Sequence, residues 1–126
     1  MFGLQNIQVW LLTVAGLRLL GASQAFFNDS RLKSNVYSGD PKSVTRLQAR
    51  LFGNWTMMSC TLCLATAYSP YNRELFFVTW MSFFYAFMHF VTETFIFKTS
   101  KVKDAIPPFI VASTSMIWMG YLLLNW

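Results

Sequence analysis

The sequence predicts an all-α membrane protein, a bundle of four transmembrane helices, and three observations lead there. Hydrophobic residues make up 55% and aromatics 18% of the 126 residues, while charged residues make up only 12%, about half the share usual in a soluble domain. The apolar residues gather into four stretches, each near the roughly 20 residues that cross a hydrocarbon core about 30 Å thick. The links between them are short and hold most of the charge. A chain of this length forms one domain, here residues 1 to 126.

The first stretch, Ile7 to Phe27, reads as a retained helix. A cleaved signal would have a basic n-region, which is missing, and this stretch carries Arg18 in its apolar run with only a weak small-residue site near GAS. The second stretch runs from about Leu47 to Tyr68, the third from Leu75 to Phe97 and the fourth from Ala105 to Trp126. In lipid each backbone amide must bond within its own segment, which makes all four helical. The fourth opens on IPPF, and Pro107 and Pro108 suit a first helical turn, whose amides have no intrahelical partner. The connections are a polar loop from Asn28 to Arg46, a tight SPYNRE turn from Ser69 to Glu74, and a basic KTSKVKD link from Lys98 to Asp104. Only the first loop, with YSGDPKS at its centre, is long enough to be a binding element.

The formal net charge is +5. Such a balance can signal nucleic acid, but the placement of the charge decides against that partner. If all four stretches cross, Arg31, Lys33, Lys42, Arg46, Lys98, Lys101 and Lys103 share one side and Arg73 stands on the other. This asymmetry predicts cytosolic loops and lumenal termini. The sequons NDS at Asn28 and NWT at Asn54 would then be silent. Trp10, Trp80 and Trp126, with Tyr68, Tyr71 and Tyr121, fall toward the lumenal ends and suit an aromatic belt.

The polar residues within the apolar stretches share a depth. At a rise of 1.5 Å per residue, Glu93 lies about 6 Å and His89 about 12 Å from the loop end of its helix, Arg50 about 5 Å, Asn54 about 10 Å, Arg18 about 14 Å and Ser113 to Ser115 about 12 to 15 Å. His89 and Glu93 are spaced i, i+4 and share a face that Ser82 and Tyr85 extend. An isolated charge in hydrocarbon costs at least about 2.5 to 3.5 kcal/mol. A buried pairing of Glu93 with Arg50 or Arg18 is therefore expected, with His89 and Asn54 hydrogen-bonded alongside. The simpler reading is that these groups only fix helix register, with Arg50 and Glu93 reaching up to the interface.

Catalytic machinery is not legible. His89 and Glu93 could form an acid–base pair of the kind a sterol isomerase needs, but a single histidine cannot supply an oxidase iron site, and a haem ligand is a poorer description of it than a packed hydrogen-bonding residue. The C-x-x-C pair Cys60 and Cys63 lies midway along an apolar run without a second pair, which fits small core residues better than zinc or redox chemistry. Neither a phosphate-binding glycine loop nor a nucleophile elbow occurs. No metal or cofactor is expected. Two loose cholesterol patterns, Leu32 to Tyr37 to Lys42 and Leu64 to Tyr68 to Arg73, match too readily by chance to carry weight.

Three blocks, VYSGDPKSVTRLQARLFGNWTMMS from Val36, WMSFFYAFMHFVTETFIFKT from Trp80 and PFIVASTSMIWM from Pro108, together resemble the ergosterol biosynthesis protein 28 family. The matching positions are Gln48, Arg50, Phe52, Gly53, Trp55 and Thr56, then His89, Phe90 and Glu93. Leu51 and Met88 depart from the family's usual threonine and glycine. The resemblance implies a small multi-pass protein of the endoplasmic reticulum, a non-catalytic scaffold rather than an enzyme. Its implied partners are the sterol C-4 methyl oxidase, the 3β-hydroxysteroid dehydrogenase/decarboxylase and the 3-keto sterol reductase, with membrane lipid, sterol included, around it. The alternative is a small membrane enzyme or sterol-binding protein that uses His89 and Glu93 on a sterol between helices. Self-association is left open.

Overall fold

The computed structural model describes residues 2–30 and 32–126, with side chains from Asn6 onward. Arg31, counted above among the basic loop residues, lies outside the described residues. The described chain is all-helical: α1 (Phe2–Phe27), α2 (Arg46–Tyr68), α3 (Arg73–Phe95) and α4 (Val102–Leu124), with a short π-helical turn at Leu32–Val36 and a 3-10 turn at Pro41–Ser43. Thr45 caps α2 by accepting the Gln48 amide, and Asn72 caps α3 by accepting that of Leu75.

Three of the four helices have the length and apolarity to cross a membrane, over Asn6–Phe27, Arg73–Phe95 and Val102–Leu124. α2 falls short because Arg46, Gln48, Arg50, Asn54 and several hydroxyls dilute it. Some of that polarity is hidden within the helix: the Thr56 and Thr61 hydroxyls donate to the Phe52 and Met57 carbonyls at 2.7 and 3.0 Å, which satisfies them without water.

α1 packs most extensively on α2, and α3 on α4, while the two hairpins meet more sparingly. Small residues form the α1–α2 seam: Ala15, Ala22 and Ala25 against Ala49, Gly53 and Cys60, all buried. A Cβ on Gly53 would stand 3.1 Å from the Ala22 carbonyl oxygen, so any larger residue would have to push the two backbones apart by a few tenths of an ångström. Polar ties join each neighbouring pair of helices. Cys60 Sγ donates to the Ala15 carbonyl, the Thr66 and Thr79 hydroxyls meet at 2.5 Å, Trp80 Nε1 donates to the Met116 carbonyl at 2.9 Å, and Trp10 Nε1 donates to Ser115 Oγ at 2.8 Å. Trp10 and Trp80 thus cross-link helices, each indole N–H finding its acceptor inside the bundle. Tyr68, Tyr71 and Tyr121 remain largely exposed.

The prolines also differ from expectation. α4 begins at Val102, so Pro107 and Pro108 lie inside the helix, where they supply no amide to the preceding turn. The first turn extends upstream because Asp104 is engaged there, as described below. Two clusters of buried side chains result. The larger, with Ile7, Leu11, Phe76, Phe83 and Met119, fills the half of the bundle near the tight turn. The smaller, with Ala25, Leu32, Tyr37, Val44 and Ala49, is built largely by the first loop on the ends of α1 and α2.

Replacing Gly53 by Leu should lower the thermal midpoint in mild detergent, by about 1 to 3 kcal/mol of stability. Gly16→Leu is the control, because nothing stands within 4 Å of a Cβ there. Equal midpoints for both variants and the parent would refute a seam set by backbone approach.

Candidate functional site

The first loop does not stand away from the bundle. Its turn residues fold back onto the end of α3 and the link to α4. Tyr37, 5% exposed, inserts its ring between helices: it stacks on Phe90 with centroids 6.4 Å apart and meets Phe52 edge-on at 6.1 Å. Its hydroxyl lies 2.7 Å from His89 Nε2, and Trp55 covers the other side of the imidazole at 5.3 Å. Burial pushes the Tyr37 phenol well above its ordinary pKa, and the Glu93 carboxylate adds to the rise. The phenol therefore keeps its proton, and the direction of its bond with Nε2 follows the tautomer of the imidazole.

Backbone and hydroxyl groups extend this latch. Gly39 donates its amide to the Thr99 carbonyl at 3.0 Å, and Ser100 Oγ donates to the Val36 carbonyl at 2.7 Å. Asp104 accepts the Ser38 amide at 3.2 Å and the Ser38 hydroxyl through the same carboxylate oxygen. Thr99 Oγ1 donates to Glu93 Oε2 at 2.5 Å, and the Ser100 amide to the Glu93 carbonyl at 3.2 Å. Lys98 takes a left-handed φ of 57° to aim this link. Gly39 is required by close approach, since a Cβ there would lie 2.5 Å from the Lys98 carbonyl oxygen.

The expected site residues are divided by this arrangement. His89 and Glu93 join one polar cluster, but Glu93 meets neither arginine: among the described residues the one ion pair is Lys33 with Asp29. The Thr99 hydroxyl answers the carboxylate locally, which removes the need for a cation across the bundle. Arg18 lies deeper, donating from Nη1 to the Ser59 carbonyl at 3.1 Å and to Cys63 Sγ at 3.3 Å, with its guanidinium 4.3 Å above the Phe83 ring. Arg50 and Asn54 are exposed and face outward. Of the remaining family-motif positions, Phe52, Trp55 and Phe90 surround Tyr37 or His89, Gln48 lies near the same phenol, Gly53 sets the α1–α2 seam, and Thr56 bonds within its helix. Cys60 and Cys63 are buried free thiols, and both make polar contacts rather than acting only as apolar filler. Sequence reasoning missed Tyr37, Ser38 and Asp104. The signal was an aromatic residue beside a Ser-Gly turn in an otherwise polar loop.

Beneath the latch, between the two hairpins, lies a partly enclosed cavity of about 330 Å³. Arg18, Trp55, Phe83 and Phe90 line it, with Asp104 and the proline pair at its loop end. His89 and Glu93 face the loop instead.

A family model described as Erg28 like protein matches residues 7–117. The chain is 36% identical over 117 residues to the ergosterol biosynthetic protein 28 of Arabidopsis thaliana, covering 93% of this chain and 87% of that protein. It is 33% identical over 111 residues to the protein of the same name from Saccharomyces cerevisiae, covering 87% and 75%. With the human homolog it shares 32% over 117 residues, covering 92% and 84%. No solved structure matches the chain.

Tyr37→Phe should remove the last phenol to ionise in an absorbance titration and cost about 0.5 to 1.5 kcal/mol. The wild-type contribution is present below the ordinary phenol range and is lost as pH rises through the elevated folded value, because the buried site favours the protonated form. Loss instead of a phenol that ionises together with the others would place Tyr37 in water. Gly39→Ala should raise amide exchange at Tyr37 to Gly39 and at Thr99 to Lys101 together; exchange confined to the substituted turn would show that the two segments are not joined.

Proposed function

This chain belongs to the Erg28-like family, and from that membership we propose that it serves sterol biosynthesis as a non-catalytic scaffold at the endoplasmic-reticulum membrane. The partners proposed are the sterol C-4 methyl oxidase, the 3β-hydroxysteroid dehydrogenase/decarboxylase and the 3-keto sterol reductase. In this reading α2 is the fourth crossing, the termini are lumenal, and the latched loop end faces the cytosol. The supporting charge is Lys33, Lys42, Arg46, Lys98, Lys101 and Lys103 at that end against Arg73 at the other.

One observation carries the choice of scaffold over enzyme. His89 and Glu93, the residues best suited to acid–base work, are occupied by Tyr37 and Thr99 and do not line the cavity where a sterol could lodge. A catalytic pair has to reach the proton it moves. Here both groups hold a loop in place, giving the cytosolic face a fixed shape. Arg50 and Asn54 lie outward on α2 beside that face, where a partner's membrane helix or acidic domain can meet them.

The test is a gentle-detergent pull-down of the tagged chain from endoplasmic-reticulum membranes. Wild type should recover the three C-4 demethylation enzymes. Arg50→Ala should lower that recovery several-fold without changing the thermal midpoint, and Glu93→Gln should lower both. Recovery of none of these enzymes by wild type would sink the scaffold. Sterol turnover by the purified chain alone, lost in His89→Ala, would establish the enzyme instead.

A further inference from the structure

Arg18 is a cation without a counter-ion. All five carboxylate side chains belong to described residues, and none lies within ion-pair distance of it. Its hydrogen bonds leave from Nη1 alone, so Nε and Nη2 have no acceptor among the described residues. A guanidinium is always charged and presents its donors as a planar fork that matches a carboxylate. Such a charge is expensive in hydrocarbon unless something answers it. The Phe83 face, the Ser59 carbonyl and Cys63 Sγ answer it in part, and the residue lines the cavity.

The cavity has the character of a ligand site. Its volume falls at the lower end of the range for small-molecule pockets, and aromatic and aliphatic walls surround the Arg18 charge. The other charge on its wall, Asp104, is held by Ser38 at the loop end. Of all the polar groups along the wall, only Arg18 offers unmatched positive donors deep within the bundle.

We propose that this cavity receives the polar end of a carboxylate-bearing amphipath, with Arg18 taking the carboxylate and the apolar body lying against Phe83 and Trp55. The source of that carboxylate follows if the scaffold reading holds, on which this step rests. A methyl group that one enzyme oxidises and another removes as carbon dioxide exists between them as a carboxylate. The ligand is then a sterol carboxylate, held by the protein that keeps the two enzymes together. A fatty acid carries the same chemistry on a flexible body.

The experiment uses the purified full chain in nanodiscs and three radiolabelled probes: a 4-carboxy sterol, the matching 4-methyl sterol and oleate. Wild type should bind the carboxy sterol on the order of tenfold or more tightly than the methyl sterol, as a charge-assisted pair requires. Arg18→Gln should abolish the difference, and Arg18→Lys should restore part of it. Thermal midpoints of the variants separate loss of ligand from loss of fold, and a Trp55→Leu variant, which alters the apolar wall and leaves the contact of Arg18 with Phe83 in place, should weaken both sterols equally. Equal binding of carboxy and methyl sterols by folded wild type overturns the proposal. Preference for oleate over the carboxy sterol keeps the carboxylate site and overturns the sterol as its source. A parallel pull-down separates the two readings: enzymes recovered without carboxylate preference remove the site alone, and carboxylate preference without enzymes removes the scaffold alone.

Discussion

Hydrocarbon offers an imidazole or a carboxylate no partner, so each polar group carried into an apolar helix has to be answered by another part of the chain. The bond between Tyr37 and His89 is where that constraint shapes this molecule most. An imidazole on α3 draws a loop residue down among the helices. The loop, once drawn in, brings Ser38 to Asp104 and Gly39 to Thr99. These contacts start α4 three residues earlier than its apolar pattern alone suggests.

The cavity is a by-product of the same economy of contacts. Small residues bring α1 close to α2, whereas bulky aromatics and two prolines keep α3 and α4 from closing on them to the same degree. The hairpins are tied near the tight turn by hydroxyl and indole bonds and near the other end by the latch. Between those ties the helices stand apart, and Arg18 sits at the gap. The open volume and the unmatched charge thus have one origin in where the sequence places its small and large side chains.

Local features were the legible ones. The ends of α2 agree with the apolar stretch to within a residue because Thr45 and Ser69 bracket it, and α3 starts at the Asn72 cap. The i, i+4 spacing of His89 and Glu93 puts both on the face of α3 that meets the loop and the link to α4. What the sequence could not reveal were the partners, because they are distant in the chain: Tyr37 and His89 are separated by 52 positions. Charge complementarity suggested Glu93 with an arginine, yet the winning partner was a threonine six residues away, since a short turn brings it there with little loss of chain freedom. The partners of two tryptophans were hidden for a related reason. An indole near a helix end suits an interface, but Trp10 and Trp80 each had an acceptor within reach on a neighbouring helix.

The separation of Ser38 from Asp104 by 66 positions imposes an order of events during synthesis. Chains emerge from the amino terminus onward, and the first loop is finished long before α3 and α4 exist. Tyr37 and Ser38 must wait in water, and His89 must enter the membrane before the bond that stabilises it there can form. The closed loop can therefore exist only on a chain whose later helices have been made and set in register. To any partner that grips the closed loop, an unfinished or misinserted copy would present no matching surface.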